Sequence, residues 1–98
     1  MHKKQPDNLD YYISNKTAKI RVYFRNVVED FEVGNLATEP AVNHIKNYCT
    51  ELKILLKLHM PDELRTDIVN LLSKMSQTIK DINAKSNTSN IHNDDLVR

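Results

Sequence analysis

Cys49 and His44 are the two residues in this chain whose types could do covalent chemistry together. A thiol becomes a working nucleophile when a nearby imidazole takes its proton and a third group orients that imidazole. The two residues are five positions apart. On a helix turning about 100° per residue, that offset is roughly 140° around the axis, so the side chains diverge. Cys49 therefore reads as a small buried apolar residue. The four histidines, His2, His44, His59 and His92, do not assemble a metal site either. None lies three or four residues from another, and no second cysteine joins them. His59 sits where it can meet the terminal carbonyls of a helix. Gly34 is the one glycine, so no glycine-rich loop is present to cradle phosphate. The expectation is a protein that is not an enzyme, with no catalytic residue, no cofactor and no metal.

Charged clusters point to partners. Glu29, Asp30 and Glu32 gather at one helix end, either as a solvated terminus or as a small acidic patch facing a basic partner. Lys16, Lys19, Arg21 and Arg25, with Tyr23 among them, are the candidate nucleic-acid contacts. They are sparser than a dedicated basic stripe, so nucleic-acid binding is the second reading. The formal net charge is +1, which gives no whole-protein field to recruit nucleic acid or an anionic membrane.

These residues must be held by helices. The chain has 98 residues, enough for one domain with a modest core. It is 40% hydrophobic and 28% charged, a globular rather than a disordered balance. A single glycine argues against all-β architectures, which need many tight turns. No apolar run reaches membrane-spanning length. His2-Lys3-Lys4 leads into polar residues, so no secretory leader is read, and a nuclear or cytoplasmic location is expected. The sequons at Asn15 and Asn87 are expected to stay unmodified.

The expected fold is all-α, a small antiparallel three-helix bundle over residues 13–85. A polar arm (1–12) precedes it and a flexible polar tail (86–98) follows, anchored by Ile91 and Leu96. The helices are predicted near 15–32, 39–59 and 61–84. The first has the stripe Ile20, Phe24, Val27, Val28 and Phe31, a cap at Ser14 or Asn15, and Arg25 and Glu29 placed to pair. Gly34 should end it in a left-handed cap. The second starts at a Thr38 cap with Pro40 in its first turn. Its later part is apolar nearly all round: Leu52, Ile54, Leu55, Leu56, Leu58 and Met60. Such a helix either lies in the middle of the bundle or binds a partner through Ile54 and Leu58. The third opens Pro61-Asp62-Glu63, with proline at the first helical position and carboxylates against the positive end of the dipole. Its stripe is Leu64, Ile68, Leu71, Leu72, Met75, Ile79 and Ile82. The core should combine Phe24, Val27, Phe31, Ile45, Leu52, Leu55, Ile68, Leu71 and Met75.

Three segments carry a family resemblance: Ile20-Arg21-Val22-Tyr23-Phe24-Arg25-Asn26-Val27-Val28, then Tyr48 to Lys57, then Met60-Pro61-Asp62-Glu63-Leu64 with Ile68 to Met75. From about Lys19 to Lys85 the chain resembles the helical domain of pre-mRNA splicing factor 18. Related domains occur in steroid receptor RNA activator protein and in the outer coat subunit of COPII vesicles. The resemblance implies a helical bundle that docks on another subunit, with mRNA splicing or other RNA processing as the setting. This chain lacks the tryptophan-containing loop of the splicing factor, so that loop's role on RNA is not carried over.

The function expected first is a non-enzymatic protein–protein interaction subunit or adaptor. Its partner-binding residues would be Tyr11, Tyr12, Ile54 and Leu58, and a hetero-oligomer is expected rather than an isolated monomer. The alternatives are a nucleic-acid-binding helical module and a small helical inhibitor acting by steric blockade.

Overall fold

The computed structural model describes the backbone of residues 4–97 and the side chains of residues 9–85. Ile91, Leu96, His2 and His92 thus lie outside the described side chains. Three helices follow in order: α1 (Lys4–Glu32), α2 (Thr38–Leu55) and α3 (Asp62–Val97). The described residues form no strand. Lys16 meets Glu51, and Tyr23 meets Tyr48, so α1 and α2 run antiparallel. Cys49 meets Met75 while Lys46 shares a groove with Ile79, so α3 reverses again. Arg21 reaches Asp67, and further on Phe31 flanks the same groove as Ile82, so α1 and α3 run parallel. The fold is the expected three-helix bundle, with α2 packed against both longer helices.

The core follows the predicted stripes. Ile20, Phe24 and Val27 of α1 meet Ala41, Ile45, Leu52 and Leu55 of α2 and Ile68, Leu71, Met75 and Ile82 of α3, all buried. Phe31, expected in the core, is half-buried at its edge. Ile13 and Thr17 continue the α1 stripe toward the N-terminus and are also buried. The Thr17 hydroxyl donates to the Ile13 carbonyl at 2.7 Å, which satisfies the one buried polar side chain among the described residues.

Five boundaries differ from expectation, four of them for a local reason. α1 does not start at Ser14 or Asn15. Both are exposed mid-helix positions, because Leu9, Ile13, Thr17 and Ile20 keep the helical period going and Pro6 falls in the first turn, where its missing N–H is tolerated. Most of the segment read as an arm is therefore continuous with α1, as residues 86–97 are with α3. Thr38 is not the cap of α2. Ala37 holds that position with extended backbone (φ −74°, ψ 166°) and no side-chain hydrogen bond. α2 stops at Leu55 rather than near 59. The Lys57 and Leu58 amides turn back to the Ile54 and Leu55 carbonyls, so the chain tightens into a turn. At α3 the first helical bond runs from Arg65 to the Pro61 carbonyl, which makes Pro61 the cap and Asp62 the first helical residue.

Gly34 ends α1 as expected. Its φ is +87°, the Asn35 amide donates to the Asp30 carbonyl and the Gly34 amide to Phe31. That pair of bonds is a Schellman ending, which needs a left-handed residue at this point. A Cβ at Gly34 would meet nothing within 4 Å, so the penalty for alanine is purely backbone. Gly34→Ala should lower stability by about 1 kcal/mol. Ala37→Ser should raise it by about 1 kcal/mol, because serine fits the existing cap geometry and supplies the missing acceptor. Urea unfolding of the two variants checks both signs.

Candidate functional site

No catalytic constellation forms among the described residues. His44 stacks on Tyr48, with ring centroids 6.5 Å apart, and turns away from Cys49 as its angular offset requires. Cys49 is half-buried against α3, its Sγ 3.8 Å from the Met75 sulfur. Burial pushes its thiol above the ordinary 9.0, against a smaller opposing pull from Lys53. Burial, then Glu51 and Tyr23, likewise raise the Tyr48 phenol above 10.0. No group of three or more potential metal ligands occurs among the described residues.

The four basic candidates do not share a face. Lys16 pairs with Glu51 of α2 at 3.4 Å, and Arg21 pairs with Asp67 of α3 at 2.9 Å. The spacing 16, 19, 21, 25 puts Lys16 and Lys19 on the α2 flank of α1, and Arg21 and Arg25 on the α3 flank. Their closeness in sequence concealed a division in space. Both ion pairs are exposed, so each contributes at most about 1 kcal/mol. Arg25 and Glu29, expected to pair, form no ion pair within 4.0 Å.

The apolar candidates divide as well. Tyr11 is 72% exposed, Tyr12 52% and Ile54 56%. Leu58 is half-buried against the core, and its carbonyl accepts from Arg65, so it belongs to the turn rather than to a free surface. Ile54 stands alone on the outer side of α2, among exposed Thr50, Asn47 and Lys57.

Sequence reasoning singled out Tyr11 and Tyr12 but missed the exposed apolar residues that extend them along α1. Val22 and Tyr23 of α1 are 43% and 49% exposed. With Tyr11 and Tyr12 they form two neighbouring lines, each repeating at eleven residues, which is close to three helical turns. Tyr12 and Tyr23 flank a groove of about 280 Å³ between α1 and α2, with Lys16, Lys19 and Glu51. α1 is thus apolar on its inner side and aromatic on its outer side. The signal was present in Tyr11-Tyr12 and Val22-Tyr23: adjacent large apolar residues cannot all face one core.

Arg65 was also missed. Its guanidinium donates to the Leu56 and Leu58 carbonyls at 3.0 and 3.3 Å. It satisfies carbonyls that the early end of α2 leaves without helical partners. Comparison of the chain with protein-family models, curated proteins and solved structures gives no match.

Two outcomes follow. Arg65→Ala should destabilise by about 1–2 kcal/mol, and Arg65→Lys should recover only part of that, since an ammonium does not span both carbonyls in a planar fork. Denaturant unfolding measures both. The native state holds the Cys49 and Tyr48 protons more tightly than the unfolded chain. Each contribution to stability is therefore complete below the unfolded value, 9.0 or 10.0, and is lost as pH rises from there through the raised native one. Cys49→Ala should flatten the lower part of that decline in unfolding curves taken from pH 7 to pH 10.

Proposed function

We propose that this chain is a non-enzymatic helical adaptor that docks another protein subunit on the outer side of α1. One observation carries the reading: Tyr11, Tyr12, Val22 and Tyr23 leave that side of a helix already buried on its inner side rich in exposed aromatic and apolar surface. Tyrosine suits such a role, because its ring gives rigid contact area and its hydroxyl stays hydrated until a partner arrives. An RNA-processing assembly is the proposed setting, on the strength of the resemblance over residues 19–85. No described helix is long and apolar enough to cross a membrane.

A second reading has one observation in its favour. Lys16 and Lys19 lie in the same groove as Tyr12 and Tyr23, the combination of cation and stacking ring that single-stranded RNA uses. Co-purification from cells, with and without nuclease and at low and high salt, separates the two. An apolar protein contact should survive both treatments and be lost in Tyr12→Ala/Tyr23→Ala. Association lost on nuclease or steeply with salt, and abolished by Lys16→Glu/Lys19→Glu, would favour RNA. Helical circular dichroism confirms that each variant is folded.

A further inference from the structure

α1 and α3 touch each other less than either touches α2, and the seam between them stays open. Two connected hollows of about 390 and 410 Å³ run along it, sharing Val28 and Thr78. Their floor is apolar: Phe24 and Leu71 at one end, Phe31 and Ile82 at the other. Val28 and Phe31 are only half-buried there, so core side chains reach the surface along this line.

The charges along this groove reverse at its middle. In the first half Arg21 is matched by Asp67, which leaves the cations Arg25 and Lys74 against one carboxylate, Glu29. In the second half the rims carry Glu32 and Asp81 against the cation Lys85. Each half therefore carries one net charge, positive in the first and negative in the second. A surface of this kind is complementary to itself. A two-fold axis through the groove near Val28 and Thr78 sets the basic half of one copy against the acidic half of another, and the apolar floors face each other. A partner carrying one sign of charge would match one half and be repelled by the other.

We infer that the α1–α3 groove is a self-association surface and that its occupant is a second copy of this chain. The inference goes beyond the adaptor reading, which uses the outer side and the α2 flank of α1.

The test uses the purified 98-residue chain with no partner present. Sedimentation velocity from about 1 μM to about 1 mM spans moderate to weak association. The wild type should shift from monomer to dimer within that range. Arg25→Glu/Lys74→Glu makes both halves negative, and Glu32→Lys/Asp81→Lys makes the acidic half positive. Each should weaken self-association by about tenfold or more, because like charges then face each other. Mixing the two variants in equal amounts should restore a dimer, since each face now complements the other. All four positions are exposed, and circular dichroism checks that both variants keep their helices. Lys46→Glu/Lys53→Glu, on the α2–α3 side, should leave the dimer unchanged, as should Tyr12→Ala/Tyr23→Ala. A wild type that stays monomeric throughout overturns the inference. So does a mixture that fails to recover the dimer, or an equal loss in the Lys46 and Lys53 variant, which would mean that net charge and not its pattern governs association.

Discussion

The structure depends on a short helix that must satisfy two long ones. α2 has 18 residues, against 29 for α1 and 36 for α3. It is the element that packs extensively on both. Ala41, Ile45 and Leu52 are completely buried between its neighbours. Burying a side chain such as Ile45 or Leu52 contributes about 1.5–3 kcal/mol, far more than either surface ion pair. The registers of α1 and α3 follow from this contact. The Tyr23–Tyr48 and Lys16–Glu51 pairs lie along one flank of α2, and the Cys49–Met75 contact along the other. α1 and α3 meet mainly where α2 brings them together, and that leaves their seam open.

The two reversals are built differently, and the difference explains what was readable beforehand. At Gly34 the backbone itself demands a left-handed residue, and one glycine in 98 residues marks the place. At Leu56–Pro61 the decisive group is Arg65, a side chain that begins outside the turn and reaches back to it. Nothing in Ile54-Leu55-Leu56-Lys57-Leu58 signals a helix end. Read by pattern alone, that run continues a helix. Beyond the helix end Met60 is buried and Leu58 packs on the core, while Arg65 takes up the carbonyls that the turn leaves free.

Core positions were legible because burial imposes a period, and Ile68, Leu71 and Met75 keep it without interruption. The start of α1 was less legible because Ser14 and Asn15 are good capping residues that here lie inside a helix. The stripe through Ile13 and Thr17 outweighs their preference, as tertiary packing commonly does. Surface function was least legible. Lys16, Lys19, Arg21 and Arg25 are neighbours in sequence, but a helix rotates them onto two flanks, and each flank is occupied by a different neighbour. Which side of α1 stays free is decided by α2 and α3, so it could not be read from α1 alone.

α1 consequently carries more than one surface. Its inner line belongs to the core, its α2 flank presents Tyr12 and Tyr23, and its α3 flank borders the open groove with Arg25 and Glu29. The last two lie well apart around the helix, so occupation of one leaves the other accessible. A two-fold pair joined through the groove would display two copies of the tyrosine flank, held at a fixed distance by rigid helices. Two linked sites bind a repetitive or dimeric partner far more tightly than one site does, provided that the spacing matches. Weak self-association would then act as an affinity control: the adaptor would grip strongly only where its own concentration was high enough to pair.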